Sequence, residues 1–168
     1  ANPEPQSDVF IPWVAGLIAL TRRSDDEAAD RFADAIERFR RFSVENNTEV
    51  FPDAVRAQLR AGRRDVADGY RDLSMHGRSP TARADASVVE GLLADDPAEA
   101  RRLLGDGIAA LEGLGLRIDA ARAMVDLGRV IARAGEDPTP LLERAREILV
   151  ECDARAFLFE VDDALAGR

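Results

Sequence analysis

Residues 96–135 read DPAEARRLLGDGIAALEGLGLRIDAARAMVDLGRVIARAG, and this stretch decides the fold. Asp96, Pro97 and Glu99 form a helix start: the Asp can accept free backbone amides, Pro is pre-set for the first helical position, and Glu complements the positive end of the helix dipole. Leu103, Leu104, Ile108 and Leu111 then recur at helical spacing, and Gly113, Leu114 and Gly115 stop the run. A second helix follows through Ile118, Ala121, Val125, Leu127 and Ile131 and ends at Gly135. The glycine-containing turn thus joins two successive helices of one helical array.

The same grammar extends in both directions. Phe10, Trp13, Val14, Leu17 and Ile18 share one helical face, and Pro12, tolerated in a first turn, predicts a start near Ile11. Ser24, Asp25, Asp26 and Glu27 form a capping box ahead of a helix through Phe32, Ile36 and Phe39. A third helix runs from Asn47 or Thr48 through Phe51, Val55 and Leu59, and a fourth carries Val66, Tyr70 and Leu73 after a break at Gly62. Ser79 and Pro80 open a fifth through Val88, Val89 and Leu93. Past Gly135, Pro138 and Pro140 frame an eighth helix with Leu142, Ala145 and Leu149, and a ninth starts near Arg155.

No segment alternates strictly between apolar and polar, so the fold class is all-α. The first helix of each pair begins near residues 10, 48, 82, 118 and 155, a mean period of about 36 residues. One hairpin is too thin to bury its apolar face, so hairpins must stack. The expectation is a solenoid of about four hairpins plus a C-terminal helix over residues 9–168. Residues 1–8, Pro-rich and without a starting Met, read as a disordered or tag-derived segment of an excised fragment.

Charge and composition remove several function classes. The net charge is −9, which argues against direct nucleic-acid binding. Every basic side chain is Arg, so a Walker-type phosphate loop and a Schiff-base lysine are excluded. No apolar run is long enough to span a membrane, and the single Cys152 gives no internal disulfide, which points to a cytoplasmic, reducing setting. The arginine, alanine and aspartate bias has the look of a GC-rich bacterial genome.

Gly16, Ala28, Phe32 and Ala35 have the small, small, large, small spacing with which a tetratricopeptide repeat packs its two helices. Ala100, Leu104 and Gly107 repeat the second-helix part, and Leu127 with Gly128, then Leu142 with Ala145, repeat both parts. The second hairpin matches poorly around Val66 and Tyr70. The chain therefore resembles a tetratricopeptide repeat domain. Residues 108–165, with Leu111 to Gly115, Ala120 to Ala123, Leu127 to Arg129 and Leu141 to Arg146, further resemble the C-terminal repeats of large actinobacterial signalling proteins that carry a cyclase, ATPase or LuxR-type domain. That resemblance implies a role in assembly or regulation. The chaperone-binding carboxylate clamp of such repeats uses lysines that this chain lacks.

Candidate chemistry is sparse. His76 with Asp72 lacks a placed nucleophile, and one His with one Cys cannot supply the usual zinc set. Cys152, with Arg155 its one basic neighbour in sequence, reads as a small core residue. The pairs Asp25 with Asp26 and Asp95 with Asp96 read as helix-start charges, and Gly105, Gly107, Gly113 and Gly115 as packing and stop signals. Arginines 38, 40 and 41, 60, 63 and 64, and 101 and 102 read as solvated faces, with a grip on an acidic peptide as the alternative. Trp13, Phe10, Phe157 and Phe159 are expected inside the terminal hairpins, or against parent domains or a second copy. No catalytic residue, metal or cofactor is expected. The functional expectation is a non-catalytic protein or peptide interaction module, part of a larger bacterial signalling or transcription protein and able to form a homodimer. The alternative is an effector-sensing solenoid that controls an attached ATPase, cyclase or DNA-binding domain.

Overall fold

A computed structural model describes residues 5–42, 48–75 and 77–167. It is all helical, with no strand among the described residues. In chain order come α1 (Pro5–Thr21), α2 (Asp25–Phe42), α3 (Val50–Arg60), α4 (Arg64–Asp68), α5 (Arg71–Ser74), α6 (Pro80–Leu93), α7 (Pro97–Gly113), α8 (Arg117–Arg133), α9 (Thr139–Glu151), a 3-10 turn (Arg155–Phe157) and α10 (Leu158–Leu165). The chain divides into two compact units, 1–89 and 90–168, and the division falls within α6. No helix among the described residues is long and apolar enough to cross a membrane.

In the first unit α1 packs along α2, α2 on α3 and α3 on α4. Its core holds Val9, Leu20, Phe32 and Phe51, and the Phe39 ring meets Phe51 edge-on at 4.9 Å. In the second, α8 lies between α7 and α9, and α10 closes on α8 and α9 around Leu104, Leu111, Met124, Leu142 and Leu149. Within each unit these helices pack chiefly on their neighbours in sequence.

Starts and stops follow local chemistry. The Asp96 carboxylate accepts from the Ala98 and Glu99 amides at 3.3 and 3.2 Å, and the Ser79 hydroxyl accepts from Ala82 N–H at 3.0 Å. α7 ends at Gly115 (φ 75°), where the Leu116 amide reaches back to Leu111 and the Gly115 amide to Glu112, the six-to-one and five-to-two bonds of a Schellman turn. α1 and α9 end in the same bonds around Arg23 (φ 59°) and Asp153 (φ 54°), two side-chain-bearing residues held in the left-handed region.

Two elements depart from expectation. α1 begins at Pro5, well before Ile11, with Pro12 in its interior. Pro12 forfeits one backbone bond, but the added turns bury Val9 completely and bring Asp8 within 3.9 Å of Arg38 on α2. Pro5 takes the first helical position, where proline is favoured. The expected fourth helix is broken into α4 and α5. Around Gly69 the chain tightens, with the Gly69 and Tyr70 amides bonding three residues back to Val66 and Ala67.

Candidate functional site

The packing motif is a glycine notch that receives a large side chain. A Cβ built on Gly16 would lie 2.8 Å from Phe32 Cε2, one on Gly91 2.7 Å from Leu104 Cγ, and one on Gly128 2.6 Å from Leu142 Cδ2. Helix backbones therefore approach as closely as they do because no Cβ intervenes. Ala28, Ala35 and Ala145 are fully buried, Ala100 and Gly107 are buried on α7, and Leu127 is only half-buried beside Gly128. Gly91 was missed in the sequence. Its signal was present: it stands 13 residues before Leu104, as Gly128 stands 14 before Leu142.

The second hairpin substitutes a polar peg for the notch. Gln58, fully buried on α3, donates to the Ala29 carbonyl at 2.8 Å and to the Tyr70 hydroxyl at 3.4 Å. Burial holds the Tyr70 phenol above its ordinary value, against the opposing effect of the Gln58 bond.

Charged groups lock helices to one another roughly one repeat apart. Trp13 Nε1 donates to Asp53 at 2.9 Å, and the Thr48 hydroxyl donates to Asp85 at 2.9 Å. Arg122 grips Glu160 through two nitrogens at 3.0 Å each, both residues buried, with Phe157 4.3 Å from the guanidinium carbon. Arg129 adds a bond to the Glu160 carbonyl at 3.2 Å.

The arginine clusters are occupied by carboxylates, some across helices and some within one helix. Arg60 meets Asp25, Arg63 meets Asp26 and Asp30, Arg64 meets Asp68, Arg101 meets Glu136, and Arg102 meets Glu99 and Asp106. Asp25 and Asp26, read as helix-start charges, thus also serve as partners across helices. Hydrogen bonds from Arg102 and Arg101 hold the Glu99 and Glu136 carboxyls below the usual range. Arg117 pairs with Glu151, and Arg144 meets Glu112 at 2.5 Å.

The chemical candidates do not assemble. His76 lies outside the described residues, and Asp72 is exposed on α5. Cys152 is half-buried at the end of α9, while Arg155 pairs with Asp153 at 3.4 Å. Among the described residues no group of three or more His, Cys, Asp or Glu side chains could hold a metal ion.

What the surface offers is apolar and sits on α1. Phe10, Ile11, Val14 and Ile18 are exposed, four of the nine large apolar side chains so placed among the described residues. Phe10, expected inside the first hairpin, instead meets Trp13 at a tilt, 5.1 Å between ring centres, and is about half exposed. No protein-family model, curated protein or solved structure matches this chain.

Proposed function

We propose that the chain is a tetratricopeptide-like helical-hairpin solenoid, and that it acts as a non-catalytic interaction or regulatory module of a larger bacterial signalling or transcription protein. The observation that carries this reading is the glycine notch, which recurs at Gly16, Gly91 and Gly128 and gives three hairpins one packing unit. Such units stack into rigid arrays whose exposed helix faces recognise other chains by shape and apolar contact. The arginines engaged by neighbouring carboxylates support recognition through apolar surface over a basic grip on an acidic peptide.

Selection of a displayed peptide library on the folded chain tests the reading. Convergent sequences that bind with micromolar Kd in calorimetry are expected, and failure of any sequence to converge overturns it. A dose-dependent rise in Tm with a small molecule, in the absence of peptide binders, would move the assignment to effector sensing.

A further inference from the structure

α10 is seated on α8 and α9 by a contact unlike those that hold α7 and α9. The buried residues of α7 and α9 are all apolar, among them Leu104, Leu111, Leu142 and Leu149. Of the four buried residues of α10, Glu160 and Asp163 are carboxylates, and the other two are Val161 and Ala164. Arginines meet this face. Arg122 of α8 holds the Glu160 carboxylate through two nitrogens at 3.0 Å, Arg129 donates to the Glu160 carbonyl at 3.2 Å, and Arg146 of α9 meets Asp162 at 2.8 Å. Arg129 and Arg146 also meet carboxylates of their own helices, Asp126 at 3.5 Å and Glu143 at 3.8 Å, so the principal tie of α10 is Arg122 to Glu160. With Glu160, Asp162 and Asp163 and no basic residue, α10 is an acidic helix on an arginine-lined seat. Such a contact orders the helix without fixing it tightly. A helix of eight residues does not form alone, so α10 depends on its seat. The one large apolar side chain it buries is a valine, and the attraction of a buried ion pair is largely offset by the desolvation of both partners. The turn before it is open to solvent, with Asp153, Arg155 and Ala156 exposed.

We propose that α10 is a releasable strap, and that its seat on α8 and α9 takes in its place an acidic helix of a partner protein with an aromatic residue three positions before a glutamate. The proposal rests on reading the chain as an interaction module, and it names a site and the kind of segment that fits it. The pattern is the one α10 and the turn before it already present. Phe157 lies 4.3 Å from the guanidinium carbon of Arg122, and Glu160, three residues on, takes two of its nitrogens. Ring and carboxylate thus engage one guanidinium, and a helix with a different spacing satisfies only one of the two contacts. Arg129 and Arg146 along the same seat favour an acidic helix over a basic one. The exposed arginine clusters keep their carboxylates throughout, whereas the arginines of the seat are uncovered only when α10 leaves. A partner therefore competes with α10, and its apparent affinity falls with the fraction of chains that are open.

Native-state hydrogen exchange of the whole chain tests the strap. The amides of residues 158–165 should exchange about a hundredfold faster than those of α8 and α9, through an opening of α10 alone. Glu160→Gln, which keeps the shape and removes the charge, should speed them about tenfold further and leave α8 and α9 unchanged. A labelled peptide of residues 155–167 is the probe for the partner. In fluorescence anisotropy it should bind the whole chain weakly and the Glu160→Gln chain about tenfold more tightly, because that seat is open more often. The same peptide carrying Glu160→Ala should lose this binding. Amides of α10 that exchange as slowly as those of α9 overturn the strap, and a Glu160→Gln chain that opens but takes up no peptide overturns the seat. Convergent peptides selected by a chain whose α10 stays closed would overturn the strap alone and leave the interaction module standing.

Discussion

Gly91 and Gly105 lie on adjacent helices, yet a methyl group should act on them with opposite sign. At Gly91 the new Cβ would meet Leu104 Cγ at 2.7 Å and the Leu104 backbone nitrogen at 3.0 Å, and a backbone atom cannot rotate away. Gly91→Ala should destabilise by about 1–3 kcal/mol. At Gly105 nothing lies within 4 Å, so Gly105→Ala should stabilise α7 by about 0.5–1 kcal/mol through helix propensity. Urea denaturation of the two variants checks the pair. Arg122 gives a second case. Arg122→Ala strands the buried Glu160 carboxylate and should remove about 3–5 kcal/mol, while Arg122→Met combined with Glu160→Leu should recover most of it. The notches at Gly16 and Gly128 were legible in sequence because each small residue precedes its large partner at a familiar spacing. The Arg122–Glu160 lock was not. It joins residues 38 apart, in a chain where arginine and carboxylate occur in nearly every segment and any could pair with many.

Helix boundaries were legible where a single side chain makes them, as Asp96 and Ser79 do, and obscure where packing decides. Pro12 predicts a start of α1 near Ile11, but burial of Val9 extends the helix back through it to Pro5; the break at Gly69 depends on three-residue bonds that periodicity does not report. The C-terminal turns carry a prediction of their own. Asp153 bears its side chain in the left-handed region, a conformation that costs about 1–2 kcal/mol outside glycine. Its exposed pair with Arg155 returns little of that. After the added chain entropy of glycine, Asp153→Gly should raise stability by about 0.5–1 kcal/mol, seen as a higher Tm. The α7 carboxyl Glu99 and its neighbour Glu136 are held below their ordinary values by Arg102 and Arg101. Their contribution is present above the unfolded carboxylate value near 4.3 and is lost as pH falls through the depressed folded values. Glu136→Gln should therefore flatten the decline of Tm between about pH 5 and 3.

At the scale of the molecule, the all-helical class was readable throughout, but the division at residues 89 and 90 was not, because it falls inside the continuous helix α6. Whether the two units melt together is open to a direct optical experiment. The chain has one Trp and one Tyr, and Trp13 and Tyr70 both belong to the first unit. Trp13, held through its indole to Asp53, loses that anchor when the unit opens. Intrinsic fluorescence is thus blind to residues 90–168, while circular dichroism at 222 nm weighs both units. Destabilising the second unit by Arg122→Ala should shift the dichroism midpoint and leave the fluorescence midpoint in place, if the units are thermodynamically separate; coincident shifts would make them one cooperative body. The placement of two aromatic residues has made half of this protein a built-in emitter and the other half dark.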